Sequence, residues 1–259
     1  AEVEPGLCGL LQQLLDATFV RRRSIDRRGP MPERLLLRGA HRAPRAGGTW
    51  ARFAAWREGL LDRNPEGCLA VRPLIRTLEP AAALAPLLPE EGREAPSKPQ
   101  VNECYLFHGT SPEDAVSIAR SGFDLSMSGH QRADSAGNRN GRVFNTGIYF
   151  AECSSKADEY ASNGYGRSGR TRGRGRLAML LCRVALGRVL RVKTGVGSAG
   201  AGPGLAEALG PAACDTLLGD LEASCGTFRE FVVPSPDQVF PEFVLSYKRL
   251  ARPAEGPRP

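Results

Sequence analysis

One pair of residues in this sequence is placed where a ligand could bind. His108 and Gly109 directly follow the short apolar run 104–107. A histidine can donate a hydrogen bond to a sugar hydroxyl, and a glycine lets a ligand approach the bare backbone. A turn whose histidine is satisfied by protein groups accounts for the same two residues, so the pair alone leaves both interpretations open.

Two tyrosines form a second candidate feature. Tyr149 and Tyr160 flank a predicted strand, turn and helix, eleven residues apart. Two aromatic rings that converge on a cleft can hold a flat ring between them. Packing in the hydrophobic core is the simpler alternative for both side chains.

An acidic residue next to an apolar strand is the third feature. Glu230 immediately precedes the run Phe231–Val233. A carboxylate beside a buried strand is costly unless it is paired or used in chemistry. A salt bridge or a capping contact is the alternative to a catalytic role.

Two further features carry weaker hypotheses. The basic, glycine-rich run Arg167–Arg176 is most simply a solvated loop, although such a run can also bind phosphates or RNA. No aromatic residue alternates with its arginines, which disfavours nucleic-acid binding. Cys153 is a poor candidate nucleophile, because no neighbouring residue in the sequence would lower its pKa.

The composition is that of a folded globular domain. Of 259 residues, 41% are hydrophobic and 24% are charged, which disfavours a disordered or fibrous chain. Lysine and arginine outnumber the acids by 35 to 28, and the net charge of +7 permits contact with nucleotides, nucleic acid or acidic proteins. Since no apolar run reaches about 18 residues, we expect no membrane contact.

The cysteines indicate reduced thiols. The seven cysteines are widely spaced and form no Cys-x-x-Cys pair, which favours an intracellular protein of the nucleus or cytoplasm. Only three histidines occur, none at ligand spacing from a cysteine pair, so we expect no metal site. The missing initiator methionine and the lack of a basic leader favour a piece of a longer protein over a signal peptide.

The elements that must position these residues are mixed helices and strands. In the first hundred residues the spacing predicts a helix over 7–16, a strand at 35–37 and a helix capped by Thr49, followed by a linker or surface excursion over 79–100. Beyond residue 100, strands are predicted at 104–107, 147–151, 177–186, 228–233 and 243–247, with a helix from Ser111 to Gly122, a helix through 156–160, and loops over 124–145 and 193–213. The lack of a regular βαβ repeat predicts an α+β fold.

Six short motifs, weak singly, are specific as an ordered set. They are YLFHGTS (105–111), GFD (122–124), GIYFAE (147–152), SSKADEY (154–160), REFVV (229–233) and DQVFPEF (237–243). Together they resemble the catalytic domain of the poly(ADP-ribose) polymerase family, nearest to its tankyrase-like branch. The resemblance extends over about residues 7 to 250.

The resemblance implies a fold and a reaction. The fold is an α+β ADP-ribosyltransferase fold of the diphtheria-toxin type, with a split antiparallel β-sheet core and flanking helices. We expect one catalytic domain over 1–259, made of an N-terminal part and linker (1–100), an NAD-binding core (101–250) and a tail (251–259). NAD⁺ is the implied co-substrate, without a metal, and protein acceptors are the implied partners.

The resemblance also assigns roles to residues. Catalysis falls to Glu230, His108 and Tyr149, and contacts with NAD⁺ fall to His108, Gly109, Thr110, Asp124, Tyr149, Phe150, Ala151, Ala157 and Tyr160. Ala157 occupies the position where many relatives carry a serine that bonds the carboxamide. The residues 124–146 would cover the donor, and 190–227 would include the loop on the acceptor side.

The implied chemistry agrees with these residue types. Cleavage of the bond between ribose and nicotinamide builds positive charge on the sugar, and a nearby carboxylate stabilises that charge. The product is ADP-ribose on a protein acceptor, with extension to poly(ADP-ribose) left open. A non-catalytic module that binds NAD⁺, ADP-ribose or RNA on the same fold is the alternative.

Overall fold

One eight-stranded sheet organises the molecule. The computed structural model describes residues 1–45, 47–87, 99–126, 147–162, 176–193 and 214–251. The strands in these ranges are β1 Arg34–Arg42, β2 Glu103–Thr110, β3 Ile148–Ala151, β4 Leu177–Ala185, β5 Val189–Val192, β6 Thr216–Asp220, β7 Arg229–Val233 and β8 Val239–Leu250. Their order across the sheet is β1-β8-β4-β2-β3-β7-β6-β5. Neighbouring strands are antiparallel except β5 and β6, which are parallel.

Helices cover both faces of this sheet. In the described ranges they are α1 Pro5–Ala17, α2 Gly48–Arg63, α3 Leu78–Ala82, α4 Pro112–Ser121, α5 Ser154–Ala157 and α6 Leu221–Cys225. Leucines of α1 pack on one face with Tyr105 and Phe107, while Ala115 of α4 packs on the other with Cys104 and Leu106. Side chains of one strand alternate between two faces, so β2 contributes to both cores. The fold is therefore mixed α+β, consistent with the ADP-ribosyltransferase fold.

The sheet is nearly divided in its middle. Strand β2 pairs with β4 along its whole length, from Glu103 to Thr110. With β3 on its other side it shares one residue pair, Phe107 with Ala151. The two halves of the sheet therefore separate beyond Phe107, and the positions that follow Phe107 in β2 face this opening.

Several local predictions are confirmed. The Ser111 hydroxyl accepts a hydrogen bond from the Asp114 N–H and caps α4, which has Pro112 as its first residue. Gly122 ends α4 with φ of +86°, a backbone conformation that glycine adopts without strain.

Other local predictions are wrong in their bounds. Thr49 does not cap α2, because the helix begins at Gly48 and its N-cap residue is Gly47. Helix α5 ends at Ala157 rather than Tyr160, since the following N–H groups bond three residues back, as when the Tyr160 N–H donates to the Ala157 carbonyl. Strands β5 and β6 were not expected, because both are short and β6 ends in glycine and aspartate. Part of 79–100 is helical in α3.

A close backbone approach fixes the end of β2 next to α5. A Cβ atom added to Gly109 would lie 1.8 Å from the Ala157 carbonyl oxygen and 3.2 Å from Cβ of Tyr160. The nearest obstacle is backbone, which cannot rotate away. Glycine at 109 is thus a packing requirement of the fold, whatever else it does.

Gly109→Ala should destabilise the protein strongly. We expect a loss of about 2–3 kcal/mol in the free energy of unfolding, the upper part of the range for overpacked sites, measured by urea denaturation. Gly39→Ala in β1 is the matched control, because nothing lies within 4 Å of its added Cβ. Equal stability of the two variants would contradict the close approach of β2 and α5.

Candidate active site

A buried carboxylate lies at the centre of the candidate site. Glu230 opens the second position of β7 and pairs with Ala151 of β3. Its side chain is 10% exposed, and Oε1 lies 2.9 Å from Nζ of Lys156. Burial raises the pKa of Glu230, Lys156 opposes this, and the carboxylates of Asp26 and Glu159 raise the pKa further.

Lys156 is a buried cation shared among several acids. Its Nζ lies 2.9 Å from Glu230, 2.6 Å from Asp26 and 3.1 Å from Glu159. Burial by itself would lower the pKa of Lys156, but the surrounding carboxylates raise it above its ordinary value. The ammonium therefore stays charged and holds Glu230 in place.

Tyr160 offers an aromatic surface beside this ion pair. The residue is 39% exposed, and its ring centroid lies 5.0 Å from Nζ of Lys156. Its hydroxyl donates a hydrogen bond of 2.9 Å to Asp26. Since Gly109 and Ala157 pack against each other at the base of Tyr160, these residues form one wall of the site.

Tyr149 lies on the same face of the sheet as Glu230. Tyr149 pairs with Val232, and Ala151 pairs with Glu230, on the adjacent strands β3 and β7. Residues two apart in a strand share a face, so the two side chains point to the same side. The half-buried ring packs against Leu217 and Val232.

His108 bridges the opening of the sheet. Its Nδ1 lies 2.9 Å from the backbone oxygen of Tyr149. A carbonyl oxygen only accepts, so Nδ1 carries the proton, and because burial lowers the pKa of His108 the ring is neutral. Nε2 is then an acceptor, and it makes no hydrogen bond within the part of the chain described. We expected His108 to donate to a sugar hydroxyl, whereas this tautomer accepts from one.

Two of the predicted contact residues lie behind the site rather than on its surface. Phe150 is buried and packs against His108, with ring centroids 5.7 Å apart, and Phe123 meets His108 edge-on at 5.0 Å. Ala151 is buried between Phe107 and Glu230 in the sheet. Phe150 thus fixes the imidazole, and Ala151 fixes the strand register of the carboxylate.

Asp124 and Thr110 are not brought to the carboxylate by any described contact. Asp124 is exposed, and its Oδ1 accepts from the Ser126 N–H at 2.9 Å, which lowers its pKa. The Thr110 hydroxyl is 3.5 Å from Asp114, at the start of α4. Most of the predicted covering segment, 127–146, lies outside the described residues, as do 194–213 of the acceptor-side segment and 167–175 of the basic run.

Three functional residues were missed by the sequence reasoning. Lys156 and Glu159 stand in the SSKADEY motif, yet nothing in their spacing shows that the lysine turns inward. Asp26 is the one acid in the run RRRSIDRR, which the sequence analysis leaves as part of the N-terminal region. A lone acid among arginines is a signal that could have drawn attention to it.

Several other chemistries find no support in the described residues. Burial raises the pKa of the Cys153 thiol to about 12, so it is a poor nucleophile. No three His, Cys, Asp or Glu side chains in those ranges are grouped to hold a metal ion. No helix there is both long and apolar enough to cross a membrane.

A comparison with protein families supports this site as that of an ADP-ribosyltransferase. The family model of the poly(ADP-ribose) polymerase catalytic domain matches residues 88–201. The match includes His108, Gly109, Tyr149 and Tyr160. It ends before β7, so the place of Glu230 in the site rests on the tertiary structure and on the REFVV motif.

Glu230→Gln should remove a pH dependence of stability. A carboxyl whose pKa is raised by folding stabilises the fold at low pH and loses that contribution as the pH rises through its folded pKa. We therefore expect equal melting temperatures for wild type and variant near pH 4, and a higher one for the variant at pH 8. A variant less stable than wild type at pH 8 would show that the ion pair with Lys156 outweighs the burial cost.

Proposed function

We propose that this chain is an NAD⁺-dependent ADP-ribosyltransferase in which Glu230 is the catalytic carboxylate. The observation that carries the proposal is the buried pair of Glu230 and Lys156, 2.9 Å apart, at the opening of a divided sheet. A carboxylate buried at such a cost and aimed beside exposed aromatic surface fits a site that stabilises a cation. The family match over 88–201 supports the same reaction class.

The reaction breaks the bond between C1′ of the ribose and the nicotinamide nitrogen. The electron pair of that bond leaves with nicotinamide, which departs as a neutral molecule, and the sugar becomes cationic. The ionised Glu230 carboxylate stabilises this cation and can orient the attacking acceptor. The acceptor then bonds C1′ and loses its proton.

The nicotinamide would lie against Tyr160, with Tyr149 as the opposing ring. Tyr160 presents a partly exposed face, and Tyr149 shares the face of Glu230. Gly109 and Ala157 form the base between them. Because Ala157 carries a methyl group, the carboxamide receives no side-chain hydroxyl at this position, and backbone groups must bind it.

The imidazole of His108 would accept a hydrogen bond from a hydroxyl of the adenine-side ribose. Its Nδ1 is engaged by the backbone of Tyr149, which leaves Nε2 as the acceptor. A ligand that contacts both His108 and Glu230 must therefore lie across the opening between β2 and β3. Thr110 and Asp124 would contact NAD⁺ at its adenine end.

Protein side chains are the acceptors we propose, and extension to a polymer belongs to the same proposal. The carboxylate of Glu230 suits both a first transfer and elongation, since each attacks the same C1′ carbon. The tankyrase-like branch is proposed from the order of the motifs. Nucleic-acid binding by Arg167–Arg176 stays a weak prediction.

Glu230→Gln should lower nicotinamide release by about 10²-fold or more, since removing one preorganised electrostatic group typically costs that much. The measurement incubates labelled NAD⁺ with the purified chain and follows free nicotinamide and labelled protein. Glu33→Gln is the control, because Glu33 is an exposed acid whose ion pair is with Arg21. A gel of the wild-type product separates a ladder, which means polymer, from a sharp band, which means single transfer.

Two outcomes would contradict this proposal. Equal labelling of protein by wild type and Glu230→Gln removes Glu230 from the mechanism. Tight NAD⁺ binding without release of nicotinamide by the wild type would favour the non-catalytic alternative.

A further inference from the structure

The segment 20–27 lies across α5 and reaches the candidate site. The Val20 N–H donates to the Ser155 hydroxyl, which donates in turn to the Val20 carbonyl. Farther along, the Arg27 guanidinium donates to Asp158 at 3.0 Å and to the Ser155 carbonyl at 2.6 Å. The segment is thus held on α5 at both of its ends.

Asp26, near the end of this segment, touches two residues of the site. Its Oδ2 lies 2.6 Å from Nζ of Lys156 and accepts a hydrogen bond of 2.9 Å from the Tyr160 hydroxyl. Its side chain is 38% exposed, so it borders the solvent side of the site. Asp26 and Glu230 therefore flank the same ammonium group.

Asp26 and Glu230 are coupled through that ammonium. Both carboxylates lie within 3 Å of Nζ of Lys156, so their negative charges are only a few ångströms apart. Glu159 supplies a third negative charge at 3.1 Å from Nζ, and Arg27 lies 3.4 Å from Glu159. Removal of the charge on Asp26 would leave more of the lysine's attraction to Glu230.

We propose that Asp26 is a positioning residue, which divides Lys156 between itself and Glu230 and so sets the proton affinity of the catalytic carboxyl. This inference rests on the proposed function of Glu230. A second effect acts on Tyr160, because the bond to Asp26 fixes the ring that faces nicotinamide. A segment outside the matched family region thereby becomes part of the site.

A structural role alone would give a different result. The segment is already attached to α5 by Val20, by Arg27 and by Ser24, whose hydroxyl donates to Glu159 at 2.5 Å. Loss of one partly exposed carboxylate should therefore leave the segment in place. The charge relations around Lys156 are what changes.

The test compares Asp26→Asn with Asp237→Asn. Asp237 is a matched control, because it is also 38% exposed and pairs with one arginine, Arg52, at 3.0 Å. We expect Asp26→Asn to move the acidic limb of the pH profile of nicotinamide release to lower pH by about half a unit to one unit. The charge-free Asp26→Ser should give the same shift, and Asp26→Glu should restore the wild-type limb.

A second readout does not require activity. The carboxyl carbon of Glu230 is observed by NMR in protein labelled at glutamate, and its signal is identified by its loss in Glu230→Gln. Its titration midpoint should fall in Asp26→Asn and stay unchanged in Asp237→Asn. Melting temperatures show that each variant is folded, and if Asp26→Asn is not, Asp26→Ser takes its place.

The outcomes separate the two proposals. An active wild type whose acidic limb and Glu230 titration are unmoved by Asp26→Asn overturns the role of Asp26 and leaves the proposed function intact. A wild type that releases no nicotinamide, but whose Glu230 titration shifts in Asp26→Asn, overturns the proposed function and leaves the coupling intact.

Discussion

The candidate site depends on one buried ammonium group. Without Lys156, the charges of Glu230 and Glu159 would lie buried beside each other and beside Asp26 with no nearby compensation, and carboxyls in that position bind protons instead of staying ionised. With it, Glu230 can carry a negative charge in a mostly buried position. The cost of burial and the attraction of the lysine act against each other, which leaves the carboxylate available to a cationic sugar.

The divided sheet supplies the second constraint. Full pairing of β2 with β3 would occupy the edge of each strand and leave no opening for a dinucleotide. The single pair between Phe107 and Ala151 keeps the two halves in register while the strands separate beyond it. His108 then reaches across to the Tyr149 backbone, and Gly109 admits the close approach of Ala157. The same few residues thus join the halves and line the space between them.

Buried ion pairs also stabilise the rigid part of the sheet. Arg183 of β4 is fully buried and pairs with Glu103 of β2, while Glu242 of β8 accepts from Tyr105 at 2.6 Å. Removing one member of such a pair typically costs several kcal/mol because the other charge is left uncompensated. The strands on this side of the opening are therefore fixed independently of the site, so that site residues on β2 start from a rigid base.

The sequence by itself determined the α+β class, the cap and the end of α4, most central strands, and the set of candidate residues, because apolar runs, capping residues and ordered motifs are local signals. It did not determine the inward turn of Lys156, the arrival of Asp26 at the site, or the tautomer of His108. Each of these depends on groups far apart in the chain, as when the Asp26 carboxylate meets a lysine of α5. Only the tertiary structure decided how the charges are shared, because electrostatic coupling follows distance in space and not distance in sequence.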